Sequence, residues 1–324
     1  MATKKLKRKI RNRIKKASVT IIALLLVGLA GFLAYSYADE LLDWRQPEDT
    51  TLEITTETLG EPDKTTEPVL FHVMNVGQGD AILVTTEWGN MLIDTSLSGE
   101  RDKLTSYLNA MQITEFEYVV FTHPDGDHIG NADYIIQNYD IGTIFMPNID
   151  KTTKTYERML DAIEENQIYT ILIGEEDYCK QSGYTFMLGD LKNTIIAPND
   201  DYGDDANEMS IVIKAEYGDT SIMLTGDAER QSEADILERW DEEFLDCDVL
   251  KVGHHGSYSS TTQEFLDAVS PSIAVISCGF NNSYGHPHEP TMKRLTAAGI
   301  AIYRTDIHGT VVLKTDGKSF TVVE

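Results

Sequence analysis

Histidine and aspartate side chains are concentrated in one short stretch, residues 122–130, which follows directly on an apolar run with strand-like composition. It contains two histidines, His123 and His128, and two aspartates, Asp125 and Asp127. Such closely spaced ionisable groups repel one another and lose hydrogen bonds unless a cation lies among them. Mixed imidazole and carboxylate ligands suit a divalent ion of the zinc or manganese type. The stretch therefore predicts a metal-binding loop at a strand end, with an exposed turn as the alternative.

Three further fragments carry residues of the same kinds, and two of these fragments end predicted strands. The chain has eight histidines, and six of them lie in these fragments and in the first stretch. Because strand ends meet at the edge of a sheet, their side chains can converge on one site. The residues concerned are Asp227, His254, His255, His286 and His288.

Short β-rich runs alternate with amphipathic segments from residue 69 onward, and the second half repeats the plan of the first. Pairs of strands interleaved with helices predict an α/β fold of sheets covered by helices. The predicted strands are residues 69–75, 81–86, 91–93, 118–121, 143–146, 169–173, 195–197, 209–216, 221–224, 248–252 and 273–277. The predicted helices are residues 99–111, a helix from about 130, residues 229–240, and residues 257–269 capped by Ser260 or Thr261.

The N-terminal part of the chain has a different composition. Residues 4–16 carry nine of the 27 basic residues and no acidic one, and residues 18–38 are uncharged and largely apolar. A helix of that length spans about 30 Å, enough to cross a bilayer core. We predict a basic cytoplasmic tail (1–17) and a transmembrane anchor (18–38), with a cleaved signal peptide as the alternative. Both place the rest of the chain outside the cytoplasm.

The remainder of the chain is strongly acidic. Its 18 basic and 53 acidic residues give a balance of −35, which argues against a general nucleic-acid or anionic-membrane binder. Residues 39–68 are rich in Thr and poor in large apolar side chains, which predicts a flexible linker. Residues 69–324 form one predicted domain. The three cysteines lack C-x-x-C spacing, so we interpret them as buried small residues rather than disulfide or zinc ligands.

Five segments stand in a specific order along the predicted domain. They are residues 75–80 (NVGQGD), 92–95 (LIDT), 123–128 (HPDGDH), 224–229 (LTGDAE) and 254–257 (HHGS). Together they resemble the metallo-β-lactamase-fold domain of ComEC-type competence proteins, over nearly all of residues 69–324. The resemblance implies a four-layer αββα sandwich, in which two similar halves pack sheet to sheet, with two divalent metal ions at one edge.

In that superfamily the third segment reads His-x-His-x-Asp-His, and its first two histidines bind one metal while the Asp and the last His bind the other. Here His123 takes the first position, and Asp125 replaces the second histidine. Asp127 and His128 keep the last two positions. The resemblance therefore implies that all four bind metal and that Asp127 also orients the attacking hydroxide.

The later segments supply the remaining implied roles. Asp227 matches the carboxylate that bridges the two metals. His255 matches the last ligand, with His254 as the alternative because one position along a strand turns a side chain to the other face. Asp94 matches a residue that orients the ligands without binding metal. Ser257, beside a helix start, offers a backbone N–H to an anion.

The chain departs from the superfamily pattern before the bridging aspartate. No histidine lies between His128 and His254, so the histidine that usually binds a metal at this place is absent. ComEC-type domains show Asn-x-x-Ser at this place, and Asn207 and Ser210 stand there. We expect Asn207 or a neighbour to contact that metal or its water, with Ser210 in support. Oxygen ligands at Asp125 and Asn207 favour manganese, with zinc as the alternative.

Such a site is suited to hydrolysis. Two divalent ions lower the pKa of a shared water, and a hydroxide between them is the expected nucleophile. His286 and His288 are candidates to contact the substrate phosphate or to protonate the leaving oxygen. We predict a dinuclear metal-dependent hydrolase that cleaves phosphodiesters. The alternative is a binding or accessory module on the same fold, whose metal site is structural or lost.

Charge restricts the choice of substrate. ComEC-type domains are associated with DNA degradation during uptake, which points to DNA. The balance of −35 repels a polyanion, however, and the Lys and Arg residues form no visible patch. A small phosphodiester, or one in a cell-wall polymer, is therefore the competing prediction. The predicted partners are the membrane, through the N-terminal helix, and this substrate.

Overall fold

The computed structural model describes residues 67–174 and 182–323. The strands of these residues are β1 (Val69–Val73), β2 (Ile82–Thr86), β3 (Gly89–Ile93), β4 (Glu115–Val120), β5 (Asp140–Pro147), β6 (Tyr169–Ile173), β7 (Thr185–Leu188), β8 (Leu191–Ala197), β9 (Val212–Tyr217), β10 (Thr220–Leu224), β11 (Val249–Lys251), β12 (Ile273–Ile276), β13 (Ala301–Arg304), β14 (Val311–Thr315) and β15 (Phe320–Val323). The α-helices are α1 (Arg101–Ala110), α2 (Gly126–Ile129), α3 (Ala132–Asn138), α4 (Lys154–Asn166), α5 (Arg230–Arg239), α6 (Glu242–Leu245), α7 (Gln263–Val269), α8 (Glu289–Ala297) and α9 (Thr305–His308).

The strands form two sheets. The first has eight strands in the order β15-β14-β1-β2-β3-β4-β5-β6, and the second has seven in the order β13-β12-β11-β10-β9-β8-β7. In each sheet an antiparallel group is followed by parallel strands, β3 to β6 in the first and β10 to β13 in the second. The second half therefore repeats the plan of the first, as the sequence predicts.

Alternate residues of the strands fill the space between the two sheets. Val69, Phe71 and Val73 of β1 belong to one buried cluster that also contains residues of β8 to β12. Side chains two positions apart lie on the same face of a strand, so one face of each sheet turns inward. Each fully buried apolar side chain of this size contributes about 1.5–3 kcal/mol. This shared core holds the sheets together and confirms the predicted two-sheet α/β fold.

Helices cover the outer faces of the sheets. On the second sheet, Ile236 of α5, Phe265 of α7 and Leu295 of α8 join residues of β8 to β12 in another buried cluster. On the first sheet, His72 of β1 lies on the face opposite Val73, and its Nδ1 is 2.8 Å from the hydroxyl of Tyr107 in α1. The layers therefore follow the order helix, sheet, sheet, helix at these contacts.

All eleven predicted strands occur, although β9 begins at Val212 rather than at residue 209. The sequence did not reveal β7, β13, β14 and β15. Three of these are edge strands, and β13 and β15 have no fully buried residue. Because an edge strand needs few apolar side chains, its sequence pattern is weak.

The predicted helices differ from the structure in their bounds. The helix predicted at 99–111 is α1, preceded by a 3-10 turn at Ser98–Glu100. The helix predicted from about 130 is α3, which begins at Ala132, and the short helix α2 precedes it. The cap predicted at Ser260 or Thr261 was wrong, because α7 is capped by Thr262, whose side chain accepts a hydrogen bond from Phe265 N–H. The N–H of Thr261 is bound by Glu233 instead.

The predicted tail (1–17) and anchor (18–38) lie outside the described residues, as do residues 39–66 of the predicted linker and Cys179. Among residues 67–174 and 182–323, no helix combines the length and the apolar character needed to cross a membrane. Cys247 and Cys278 are buried free thiols, as predicted.

Candidate metal centre

The side chain of Asp227 lies among four imidazoles. Its Oδ2 atom is 3.3 Å from Nε2 of His128, 3.5 Å from Nε2 of His255, 3.6 Å from Nε2 of His254 and 4.0 Å from Nε2 of His123. These residues follow the carboxyl ends of β4, β10 and β11, so they come from both sheets and meet at one edge. The predicted convergence of the strand-end fragments is therefore what the structure shows.

Several atoms of this cluster are buried without a hydrogen-bond partner among the described residues. They are Nε2 of His123, His128 and His255, and Oδ1 of Asp227. Burying a polar atom without a partner costs free energy, so such atoms are rare unless an ion or water completes them. Four groups of mutually close possible ligands contain these residues: His123, His128 and Asp227; Asp127, His128 and His255; Asp80, Asp227 and His255; and Asp80, Asp94 and His128. The donor set fits divalent metal ions.

Neighbouring residues hold His128 and His255 through Nδ1, which leaves Nε2 facing Asp227. Nδ1 of His128 donates to Oδ2 of Asp94 at 2.7 Å. Nδ1 of His255 donates to the carbonyl of Ser277 at 2.9 Å. A histidine held in this way presents the Nε2 lone pair in a fixed direction, as metal ligands require.

The hydroxyl groups of Thr122 and Ser210 orient His123. Nδ1 of His123 is 3.2 Å from Oγ1 of Thr122 and 3.4 Å from Oγ of Ser210. The Thr122 hydroxyl donates to Asp94 at 2.6 Å, so it accepts from the histidine. Ser210 Oγ also accepts the backbone N–H of Asp227 at 3.2 Å. Asp94 and Ser210 therefore occupy the supporting positions that the sequence predicted for them.

His254 and His255 both turn toward Asp227, although they are consecutive. They lie in a 3-10 turn, Gly253–Gly256, and both have left-handed backbone, with φ of 45° and 54°. Alternation along a strand therefore does not apply to them. His255 is buried and belongs to two of the ligand groups, whereas His254 is 23 % exposed and belongs to none. Of the two alternatives, the geometry favours His255.

Asp125 and Asn207 lie at the margin of the cluster. The carboxylate of Asp125 is 44 % exposed and 3.8 Å from Nζ of Lys151, and Asp125 belongs to none of the ligand groups. Nδ2 of Asn207 donates to Oε1 of Glu229 at 3.2 Å. Metal contact by Asp125 and Asn207 stays a prediction.

The loop before α8 places the two remaining histidines differently. The His286 ring lies 5.4 Å from the ring of His254, and its Nδ1 accepts from Gln78 Nε2 at 3.4 Å. His288 uses both ring nitrogens, because Nδ1 accepts from Tyr258 N–H and Nε2 donates to the carbonyl of Tyr284. His286 is therefore the better placed of the two to meet a substrate. Substrate contact by either histidine stays a prediction.

Ser257 is buried, and its backbone groups are engaged within the protein. Its N–H donates to the carbonyl of His254 at 2.8 Å, and its carbonyl accepts from the hydroxyl of Thr291 at 2.7 Å. The N–H proposed for an anion is thus already engaged, because the turn that carries His254 closes on itself. Ser257 supports the turn.

Sequence reasoning missed three charged residues at the site: Asp80, Glu229 and Lys251. Nζ of Lys251 is 2.6 Å from Oδ2 of Asp80, and Lys251 is fully buried. Oδ1 of Asp80 is 3.4 Å from Nδ1 of His255. Glu229 Oε1 accepts from Nδ1 of His254 at 2.6 Å. Asp80 and Glu229 stand within the motifs quoted above and Lys251 lies three residues before His254, but none of the three has ligand spacing.

The turn that carries Asp80 needs a glycine before it. Gly79 has φ 134°, and a Cβ there would lie 2.4 Å from the carbonyl oxygen of Asp127. The N–H of Asp80 donates to that same oxygen at 3.2 Å. The close approach, which no larger residue permits, brings Asp80 behind the metal-binding loop.

The charged groups of the cluster shift one another's pKa. Burial disfavours the charged form of His255, but the carboxylates of Asp227 and Asp80 outweigh it and raise its pKa to about 10. Burial likewise opposes ionisation of Asp127, but the His255 imidazole, whose Nε2 is 3.5 Å from Oδ2 of Asp127, and the charge of His128 lower its pKa to about 2. The carboxylates therefore favour positive charge at this place, which a metal ion can supply in exchange for protons.

Comparison with known proteins agrees with this geometry. Residues 74–279 match the family model described as the metallo-beta-lactamase superfamily. ComE operon protein 3 of Bacillus subtilis is 31 % identical over 257 residues, which cover 74 % of this chain and 32 % of that protein. Competence protein ComA of Neisseria gonorrhoeae is 29 % identical over 240 residues, covering 73 % of this chain and 31 % of that protein.

The chain thus spans about a third of the length of these curated relatives. Among solved structures, a mutant of the CmlA beta-hydroxylase superposes with a TM-score of 0.50 at 12 % identity, over 76 % of this chain and 54 % of that one. At that identity the similarity concerns the fold alone.

Proposed function

Because this chain belongs to the metallo-beta-lactamase superfamily, whose members are generally metal-dependent hydrolases, we propose that it hydrolyses phosphodiester bonds with two divalent metal ions. We further propose that the hydrolase domain is held outside the cytoplasm by the apolar segment at residues 18–38. Zinc and manganese are the candidate ions, and metal contact through the oxygens of Asp125 and Asn207 would favour manganese.

The observation that carries the proposal is the convergence of histidine Nε2 atoms on Asp227. Its Oδ2 lies within 4.0 Å of four of them, and three of these are buried without a hydrogen-bond partner in the described chain. A structural role alone does not explain why so many polar atoms are left incomplete around one carboxylate. Divalent ions at this place would polarise a phosphoryl oxygen and lower the pKa of a bound water.

Asp127 and His286 have separate roles in this proposal. The Asp127 side chain is 24 % exposed, and its pKa of about 2 keeps it ionised, so it can orient a water. Burial, and then the charges of His255 and His254, lower the pKa of His286 to about 4. A neutral imidazole is a poor proton donor at pH 7. We therefore assign His286 to hydrogen bonding with the phosphate rather than to protonation of the leaving oxygen.

The substrate is proposed on chemical grounds. The relatives matched include a protein named for competence, which favours DNA. The acidic charge of the chain, −26 in total, favours a smaller phosphodiester or one in a cell-wall polymer, because a polyanion is repelled. Both candidate substrates contain a phosphodiester, and its phosphate would bind at the metal centre beside Asp227.

Metal content and turnover together test the proposal. We expect about two metal ions per chain and hydrolysis of bis(p-nitrophenyl) phosphate with added manganese or zinc. Asp127→Ala should abolish turnover, whereas Asp133→Ala, which removes an ion pair with Arg158 and a hydrogen bond from the N–H of Tyr134, should leave it unchanged. Absence of both metal and turnover in the wild type would exclude a hydrolase and favour the binding module.

Location is tested separately. The untreated chain should be recovered in the membrane fraction. Protease added to intact cells should degrade the domain. Recovery of the intact domain in the cytosolic fraction would contradict the proposed anchor.

A further inference from the structure

Three of the four most exposed large apolar side chains of the described residues lie in the two loops beside the metal centre. Tyr258 is 61 % exposed, Tyr284 64 % and Phe280 84 %. Single exposed apolar residues are ordinary, but a group of aromatic ones beside a candidate active site marks a binding surface. We refer to Tyr258, Phe280 and Tyr284 as the aromatic rim.

A series of ring contacts joins the aromatic rim to the metal centre. Tyr284 stacks on His286, with ring centroids 5.7 Å apart and planes inclined by 21°. His286 lies 5.4 Å from the ring of His254, whose Nε2 is 3.6 Å from Asp227. Tyr284 is therefore two ring contacts from the cluster. A ligand with its phosphate at Asp227 would bring the next group along its chain to this ring.

The rim is held in place before any ligand arrives. His288 Nδ1 accepts from the N–H of Tyr258 at 3.0 Å, and His288 Nε2 donates to the carbonyl of Tyr284 at 3.1 Å. The His288 ring also contacts the Tyr258 ring, with centroids 5.2 Å apart. One histidine thus fastens both loops. A platform that is already ordered loses less entropy when it binds a ligand.

The loops of the rim, residues 252–263 and 268–288, contain no Asp, Glu, Lys or Arg, in a chain with 53 acidic residues. Within these two loops no carboxylate repels a phosphodiester, and the neighbouring Glu229 carboxylate is engaged by Nδ1 of His254. The absence of Lys and Arg means that the rim does not hold further phosphates. Its chemistry fits a neutral planar ring next to a single phosphate.

We propose that the aromatic rim is a subsite for a nucleobase, linked through its sugar to the phosphodiester at the metal centre. Aromatic side chains bind bases by stacking, which is worth about 1–3 kcal/mol per base and tolerates any base. Tyr284 provides the stacking ring nearest the cluster. The inference rests on the proposed function and narrows its substrate to a nucleoside phosphodiester.

The test compares thymidylyl-thymidine with its abasic counterpart, which has the same sugars and phosphate but no bases. We expect the wild type to show a KM about tenfold lower for the dinucleotide. Tyr284→Leu should remove that difference, and Tyr284→Phe should keep it because the ring face is preserved. Met187→Ala removes another exposed apolar side chain, on β7, and should change neither KM. Equal KM values in the wild type, or a difference that persists in Tyr284→Leu, would overturn the subsite.

A binding measurement separates this inference from the proposed function. Calorimetry with the Asp127→Ala protein should show tighter binding of the dinucleotide than of the abasic diester. If the wild type turns over neither diester but this preference exists and disappears with Tyr284→Leu, the subsite stands and the hydrolase proposal fails. If the wild type hydrolyses both diesters with equal KM values, the hydrolase proposal stands and the subsite fails.

Substrates of different length distinguish binding of a single base from binding of several bases along a strand. Tyr284→Leu should raise the KM of a ten-nucleotide oligothymidylate by the same factor as that of the dinucleotide. An increase in KM confined to the longer strand would overturn a one-base subsite in favour of a groove that binds several nucleotides.

Discussion

The metal centre has a buried side and a rim side, and a carboxylate orients a histidine on each. On the buried side, Asp94 holds Nδ1 of His128 at 2.7 Å, and both side chains are fully buried. On the rim side, Glu229 holds Nδ1 of His254 at 2.6 Å, with both side chains between 20 and 25 % exposed. The distances are nearly equal, but water screens only the second pair. Burial, rather than distance, should therefore decide how strongly each pair acts.

A second contrast lies between two buried carboxylates, those of Asp80 and Glu233. Burial raises the pKa of the Asp80 carboxyl, but the ammonium of Lys251 outweighs it and holds the pKa well below its usual range. Glu233 is equally buried but is bound mainly by the backbone N–H groups of Thr261 and Thr262, and burial raises its pKa to about 7. A buried carboxylate thus keeps its charge easily only where a cation faces it.

The largest effect is expected from Lys251→Met, which leaves the Asp80 carboxylate buried without its cation. We expect the free energy of unfolding to fall by about 3–5 kcal/mol, measured by urea denaturation followed by circular dichroism. The double variant Lys251→Met with Asp80→Leu should recover part of the loss, since neither charge is then unpaired. If Lys251→Met were as stable as the wild type, the pair of Lys251 with Asp80 would not contribute to the stability of the fold.

Glu233 should make stability depend on pH. Its folded-state pKa of about 7 exceeds the ordinary value of 4.5, so the folded state binds the proton more tightly between these values. Its contribution is therefore fully present below pH 4.5 and is lost as pH rises through 7, by roughly 3 kcal/mol.

Denaturation of the wild type and Glu233→Gln between pH 4.5 and 8 measures this contribution. The stability of the wild type relative to the variant should decline with rising pH. A constant difference across this range would mean that Glu233 does not titrate there.

Asp94→Ala should weaken metal binding on the buried side. The variant leaves Nδ1 of His128 without its acceptor, so the imidazole is no longer fixed toward Asp227. Loss of such an orienting partner typically costs 10–100-fold in metal affinity. Competition with a chelator measures the loss for manganese and zinc. An unchanged affinity would show that Asp94 serves the fold alone.

Glu229→Ala makes the matching change on the rim side and should have the smallest effect. Because water can replace the lost interaction with His254, we expect less than a tenfold loss of metal affinity in the same assay. A loss as large as that of Asp94→Ala would break the comparison between the two sides and would identify His254 as a principal ligand.

Much of the candidate site could be predicted from the sequence. His123, Asp127, His128, Asp227 and His255 were predicted as ligands because their residue types and strand-end positions are local features, and the structure brings them together. Asp125 was predicted from the cluster at 123–128 and Asn207 from the resemblance to Asn-x-x-Ser, yet they face Lys151 and Glu229. These partners come from other loops, so no local pattern reveals the contacts.

The sequence by itself determined the α/β fold class, the order of eleven strands and the residues that meet at one edge, because periodicity and residue type are properties of short segments. Tertiary structure alone decided that His254 and His255 both turn inward and that Lys251 pairs with Asp80. It also decided that Tyr284 lies two ring contacts from Asp227. The first depends on left-handed backbone in a turn. The others join loops far apart in the chain, which only the packing of the fold brings together.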